Sequence, residues 1–334
     1  MYGFYLLRGE LQIAHRMAKR MLNIAQRTQD PLHLIDAHVN MGVALSHLGE
    51  FGLALEHLEI GFSFYEPEQH RFHIYGRHSG VHCLYHMATT SVALGYPDKA
   101  LGRINEALDL ARDLSHPYTL AMALNYAAYI HQVRRESVQA QERAGEQIAL
   151  CAEHNIPHFL AMGTVFHGWS LAKQGKMEEG IAQMQQGLAA WRATGSELAR
   201  SHLFALLAEA IGKAGEIREA IAIAVENLSM VDRTCDRYYE AELYRLKGEL
   251  MLIQEAEETE AESCFHKSIS VAQSQEARFF ELKATASLCR LWQKQGKIEE
   301  AREMLQEIYD WFTEGFNTKD LQEAKALLEE LSSG

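Results

Sequence analysis

Apolar and small residues recur at helical spacing along most of this chain, and turn-forming residues interrupt them at regular intervals. The stretch 162–195 shows the unit most clearly. Val165, Gly168, Trp169, Leu171 and Ala172 fall at helical spacing, Gln174-Gly175-Lys176 breaks the pattern, and Ile181, Met184, Leu188 and Trp191 mark the face of a second helix. Glycine at the break supplies the backbone conformation of a helix C-cap. Two helices this short are marginal alone and leave an apolar side that something else must cover.

The cover is other copies of the same unit. A small residue early in the second helix recurs at Ala14, Ala54, Ala100, Ala140, Gly180, Ala220, Ala261 and Ala301, with spacings of 40, 46, 40, 40, 40, 41 and 40. In the first helix Gly42, Ala88, Ala128, Gly168, Ala208 and Gly248 keep the same register. Pro31, Pro117 and Pro157 each lie 23 residues before a marker, where a first helix should begin. A first turn tolerates proline because its N–H has no intrahelical partner. Small residues at fixed positions let paired helix backbones approach closely, the logic of a two-helix repeat of the tetratricopeptide kind.

The expected fold is therefore all-α: a right-handed superhelical solenoid of about eight two-helix repeats, as one domain over 1–334. A period near 40 exceeds the usual ~34, so each helix should be about a turn longer. The predicted repeats occupy 1–30, 31–65, 78–115, 116–155, 156–195, 196–236, 237–276 and 277–315, and a capping helix follows at 318–331. The first repeat starts abruptly. That suggests either a chain derived from something longer on its N-terminal side or a short repeat covered by a second copy, a homo-oligomer. Six extra residues between the second and third repeats, within 66–78, are the one sizeable irregularity. A binding loop and a plain longer connection both account for them.

Composition suits a helical array: 47% hydrophobic, 23% charged, and five prolines. A net charge of −13 argues against a general nucleic-acid surface, which needs a basic stripe. The acidic run Glu255, Glu257, Glu258, Glu260 and Glu262 reads as a solvated loop and first helical turn. Cys83, Cys151, Cys235, Cys264 and Cys289 are scattered and form no CxxC pair, which points to thiols in a reducing compartment. With no signal-peptide pattern and no long apolar run, a cytoplasmic protein without a membrane span is expected.

In a two-helix solenoid the first helices line the concave surface. Positions three before, one after and four after the first-helix marker should face that groove. They are Tyr85, Thr89 and Val92; Asn125, Tyr129 and Gln132; Val165, Trp169 and Ala172; Ala205, Glu209 and Gly212. Arg245 and Arg290 continue the series, and His82 and His202 sit one turn earlier on about the same face. Aromatic anchors with a few amides and charges suit a protein or peptide ligand, or a small molecule. Trp169 and Tyr129 also suit ordinary packing between repeats. The set lacks the Lys/Asn pattern of a carboxylate clamp.

Catalytic signals are thin. His78-x3-His82-x3-His86, with His70 and His73 upstream, has i, i+4 spacing that can hold a metal from one helical face. Fifteen of the 17 histidines precede residue 168, so the enrichment is general, and polar helix positions explain it without a metal. No G-x-S-x-G elbow accompanies the serines. The expectation is no enzyme, no cofactor and no metal.

The runs AELYRLKGEL (241–250), RLWQKQGKIEEAREML (290–305), IYDWFTEGFNTKDLQEAKALLEEL (308–331) and GLAAWRATG (187–195) resemble the C-terminal tetratricopeptide region of bacterial multidomain signalling proteins. Those proteins join a class III nucleotide cyclase domain to an AAA-type (STAND) ATPase. ALGYPDKAL (93–101) and LARDLSHPYTLAMAL (110–124) extend the likeness over essentially the whole chain. The architecture also looks like the sensor domain of maltose-type transcription activators. No G-x-x-x-x-G-K-[ST] phosphate loop is present, so the ATPase chemistry does not carry over. The resemblance implies a regulatory or interaction module, with an ATPase or cyclase module as a further partner.

Overall fold

Proline and glycine set the helix limits. Pro31, Pro97, Pro117 and Pro157 each open a helix. Gly9, Gly49, Gly175, Gly215 and Gly296 sit between paired helices with positive φ. The computed structural model describes residues 1–66, 78–254 and 257–333. Positions 67–77, with His70 and His73, and Glu255 lie outside the described residues.

All regular structure among the described residues is helical. The elements are α1 (Tyr2–Leu7), α2 (Leu11–Thr28), α3 (Pro31–His47), α4 (Phe51–Ser63), α5 (Ser79–Leu94), α6 (Pro97–Asp113), α7 (Pro117–Val133), α8 (Ser137–Glu153) and α9 (Pro157–Lys173). They continue with α10 (Met177–Ala193), α11 (Arg200–Lys213), α12 (Ile217–Thr234), α13 (Glu240–Ile253), α14 (Glu258–Ser274), α15 (Arg278–Lys294), α16 (Ile298–Asp310) and α17 (Lys319–Ser333). Each odd helix from α3 to α15 packs on the even helix that follows it and on the next odd helix, giving a tetratricopeptide-like helical solenoid. No described helix is long and apolar enough to cross a membrane.

The two sets of helices differ in burial. Every residue of α5 is buried. α2, α6 and α16 instead bury one stripe and expose the opposite face. A helix buried all round must be covered on all sides. Here the outer helices cover one side and the next superhelical turn covers the other.

Successive turns of the superhelix touch. The carbonyl of Leu7 accepts the N–H of Glu197 at 2.7 Å, and that of His47 accepts the N–H of Arg237 at 2.7 Å. Arg134 donates to the Pro97 carbonyl at 2.9 Å, to Asp98 at 3.0 Å, to Glu136 at 2.8 Å and to Asn317 at 3.2 Å. Gly95, at φ 99°, packs so closely on the Trp311 ring that a Cβ there would lie 2.6 Å from it. The inner faces are thus closed off by later helices, where the repeat pattern alone suggests an open concave groove.

One local expectation needs correction. Glu262 is more than a solvated acid, because it accepts the Trp292 indole N–H at 2.7 Å. Ser332 and Ser333 belong to α17, their hydroxyls bonded to the Leu328 and Glu329 carbonyls.

Two outcomes test this packing. A Cβ on Gly180 would lie 2.5 Å from the Gly168 carbonyl and 2.6 Å from the Ala172 nitrogen, so Gly180→Ala is expected to lower unfolding free energy by about 1–3 kcal/mol in urea titration. Arg134→Met removes the donor to the buried Pro97 carbonyl and the contact with Asn317 of a later turn. It is expected to cost about 1–3 kcal/mol and to raise the radius of gyration in small-angle scattering.

Candidate functional site

The interior holds two chambers of different character. The first, about 480 Å³, lies between the inner faces of α5, α7, α9 and α11 and is closed by α1 and the segment before α11. Its walls are largely aromatic and apolar: Tyr126, Tyr129, Phe159, Met162 and Phe166, with Leu6 and Leu7 of α1 at the closure. Polar groups stand among them, including His82, His86, Thr89, Asn125 and His202, and two charged side chains, Arg8 and Asp236, are part of the lining. Tyr238 donates to the Thr89 carbonyl at 2.8 Å, which leaves Tyr129 to donate to the Tyr238 hydroxyl at 3.0 Å. Burial pushes both phenols well up, so both stay protonated.

His202 faces the same chamber and bonds through Nε2 to the Gln132 carbonyl oxygen at 2.8 Å, which fixes Nε2 as the protonated nitrogen. Burial, helped by Lys283, pushes its pKa down to about 3. The imidazole is neutral at any physiological pH.

The second chamber, about 170 Å³, lies further along the same interior, between α7, α9, α11, α13 and α15, with α17 on one side. It is ionic. Glu209 accepts from Lys173 at 2.6 Å and from Lys213 at 2.8 Å. Glu242 accepts from Arg245 at 2.8 Å and Lys283 at 2.5 Å, and Glu249 pairs with Arg245 at 2.6 Å. Glu323 takes Arg135 at 2.8 Å and Arg290 at 3.4 Å. Burial alone would raise the Glu242 carboxyl, but Arg245 and Lys283 outweigh it and hold the pKa at about 2. Burial pushes Lys173 down to about 8 against the attraction of Glu209. Burial likewise raises Asp320.

The sequence-predicted residues divide between these chambers. His82, Thr89, Asn125, Tyr129 and His202 line the first. Gln132, Trp169, Glu209, Arg245 and Arg290 line the second. Tyr85 lines neither; it stacks on Tyr126 with ring centroids 4.2 Å apart, behind the wall. His82 and His86 both reach the first chamber, their rings 4.9 Å apart. His78 instead caps α5, its Nδ1 accepting from the Val81 N–H at 3.4 Å. Among the described residues no group of three or more His, Cys, Asp or Glu is placed to hold a metal ion.

Residues that the spacing rule misses are also part of both sites. Met162 and Phe166 sit six and two before the Gly168 marker, the register of His82 and His86 before Ala88, so extending the face by one turn finds them. Glu242 sits six before the Gly248 marker in that same register, whereas Lys173 and Lys213 lie at helix ends five beyond their markers. Tyr238 arrives from the next superhelical turn, and no local spacing signals it.

No family model matches the chain. It is 19% identical over 293 residues to an uncharacterized protein of Rhizobium meliloti (strain 1021), a match covering 87% of this chain and 28% of that protein. It is 23% identical over 202 residues to response regulator aspartate phosphatase A of Bacillus subtilis (strain 168), covering 59% of this chain and 52% of that protein. The chain thus spans about a quarter and about a half of these two curated relatives. Among solved structures it is similar to a Rap protein complexed with competence and sporulation factor, at TM-score 0.64 and 14% identity, over 82% of this chain and 75% of that one. It is also similar to NprR in complex with its cognate peptide NprX, at TM-score 0.59 and 13% identity, over 99% of this chain and 95% of that one. At these identities the likeness shows the fold.

The neutral His202 has a consequence for stability. Its folded pKa of about 3 lies below the ordinary 6.5, so between those values the unfolded chain binds a proton that the folded chain does not. The stabilisation is complete above pH 6.5 and lost as pH falls towards 3. Unfolding free energies of the wild type and His202→Gln should therefore diverge in slope below pH 6.5, by up to about 1.4 kcal/mol per pH unit.

Proposed function

We propose that this chain is a non-catalytic regulatory scaffold that receives a short peptide in the apolar chamber. The observation that carries the reading is the chamber itself: a largely apolar, aromatic space with hydrogen-bonding side chains such as His82, Asn125 and His202 in its walls. Such a space suits apolar side chains held by aromatic anchors. The peptide complexes of the Rap and NprR solenoids, which share this fold, support a peptide as the occupant. α1 closes the chamber, and an extended peptide would have to displace it or pass beside it. That gives binding a structural consequence at the first turn of the superhelix.

The enclosure favours one second reading, a small uncharged molecule held within the chamber. In either case the output would be a change in how the turns pack. Our reading assigns the scaffold to the cytoplasm, where its five unbridged cysteines suit a reducing compartment. The sequence resemblance supports an attached ATPase or nucleotide cyclase as the element that such a change would regulate.

The test is a display selection of random heptapeptides on the wild-type protein, followed by calorimetry of those recovered. Thr89→Trp, which places an indole in the chamber, is expected to weaken them at least tenfold. Val225→Glu, on the outer face of α12, should leave them unchanged. Equal affinity for wild type and Thr89→Trp would remove the chamber as the peptide site. A bound mass of a few hundred daltons in native mass spectrometry, with no peptide selected, would favour the small molecule.

A further inference from the structure

We propose that Gln147, a residue of the outer helix α8 that lines neither chamber, fixes the hydrogen-bonding polarity of the apolar chamber, so that Asn125 offers a donor to a backbone carbonyl of the bound peptide. The inference rests on the reading of that chamber as a peptide site. Gln147 is fully buried. Its Nε2 donates to the Phe159 carbonyl at 2.6 Å and to the Asn125 side-chain oxygen at 3.1 Å. A main-chain carbonyl only accepts, so it dictates which end of the Gln147 amide faces it. Turning that amide over would set two acceptor oxygens 2.6 Å apart. The second N–H of Gln147 then fixes Asn125, whose oxygen is held by α8 and whose NH2 group is left for the chamber.

Asn125 is only 2% exposed and lines the apolar chamber. Its NH2 group finds no acceptor among the described residues, yet it is not sealed in as the indole N–H groups of Trp169 and Trp191 are; it keeps accessible surface. Two N–H donors therefore open on the chamber. On α11, His202 spends its Nε2–H on Gln132, which leaves Nδ1 as an acceptor with no donor among the described residues. Gln132 lies seven residues after Asn125 on α7, about 10 Å along the helix. A donor and an acceptor at that separation match a carbonyl and an N–H about three residues apart in an extended chain.

As packing, Gln147 is a poor choice. Its own Oε1 is buried without a donor among the described residues, a cost that leucine or methionine would not incur. Its place, seven after the Ala140 marker, is taken by Gly61, Ala107, Gly187 and Ser268 in other units, so the repeat does not need a long side chain there. Gly163 makes room for it, because a Cβ on Gly163 would lie 3.0 Å from Gln147 Cδ. These features suit a positioning residue that reaches from the outer layer and acts on the chamber through Asn125.

The experiment uses two ring probes in NMR of the isotope-labelled full chain: cyclopentanone, which carries one acceptor, and cyclopentene, which carries none. The Met162 methyl signal, from a chamber wall, reports binding of either ring, and the Asn125 side-chain NH2 signal, assigned with Asn125→Leu, reports the hydrogen bond. Both rings are expected to shift Met162, and cyclopentanone alone to move the Asn125 NH2 protons downfield. Gln147→Met should lower the affinity for cyclopentanone relative to cyclopentene by about threefold or more and leave cyclopentene binding unchanged. Comparing that ratio between variants cancels the different hydration of the two rings. A mere packing defect would weaken both rings together. Asn125→Leu should give the same loss, and the double variant no further one. If one variant fails to fold, the other and the wild-type NH2 shift still decide. An NH2 signal unmoved by saturating cyclopentanone, a ratio unchanged in a folded variant, or a Met162 signal unmoved by both rings would overturn the proposal. Ring probes that behave as expected while no heptapeptide is selected would keep the polarity, transfer it to the carbonyl of a small molecule, and overturn the peptide as its source.

Discussion

The close approach of α9 and α10 at two glycines is the constraint from which the rest follows. Gly168 and Gly180 sit so near one another that a Cβ on either would press on the other's backbone carbonyl, at 2.7 Å and 2.5 Å. Gly42 and Gly248 occupy the same place in their own pairs and meet Leu58 and Phe265 there. Alanine holds the position in most other units. Backbones that approach this closely bring every side chain on the facing surfaces into contact, which is how seventeen-residue helices with little propensity advantage become stable. Fixing the distance within a pair also fixes the rotation from one pair to the next, and that rotation is applied again at every repeat.

Repetition gives a superhelix tight enough for its turns to touch, and the physics of the interior then changes. A side chain on the concave face of an open solenoid keeps its water. Here the same positions are enclosed, so each polar group there needs a protein partner or a ligand. The interior meets that demand in two ways. Around the first chamber the lining is mostly apolar, with one arginine and one aspartate, and Tyr129, Tyr238 and His202 are held in uncharged forms. Around the second, charges are kept and paired, and the mutual attraction of lysine and glutamate offsets their desolvation. Arg134 does the same between turns, taking four acceptors with one guanidinium.

Much of this was legible in the sequence. The small-residue markers, their period and the opening prolines describe a local unit, and local units are what spacing reports. The helical solenoid and the inward direction of residues such as Asn125 and Trp169 follow from that register. What spacing does not contain is the closure between turns. Leu7 meeting Glu197, or Tyr238 reaching Thr89 from 149 residues away, depends on a rotation summed over several repeats, and small differences per repeat decide it. For the same reason one predicted face divides into two chambers, and Tyr85, placed on the face by register, is turned behind Tyr126 by a stacked contact. The cyclase and ATPase link rests on the sequence resemblance alone.

The partition between the chambers is thin, and this gives the interior its logic. Gln132 lines the ionic chamber, yet its carbonyl oxygen is bonded to His202, which lines the apolar one. Tyr239, on the ionic side, lies against the same imidazole at 4.7 Å between ring centroids. An imidazolium at this point would stand in a buried wall with Lys283 nearby and only Glu242, already paired twice, to oppose it. Keeping His202 neutral is therefore what lets a largely apolar chamber and an ionic one share a wall. Any rearrangement of Gln132 on one side must break or re-form its bond to His202 on the other. The Gln132–His202 hydrogen bond and the Tyr239–His202 ring contact thus join the two chambers directly.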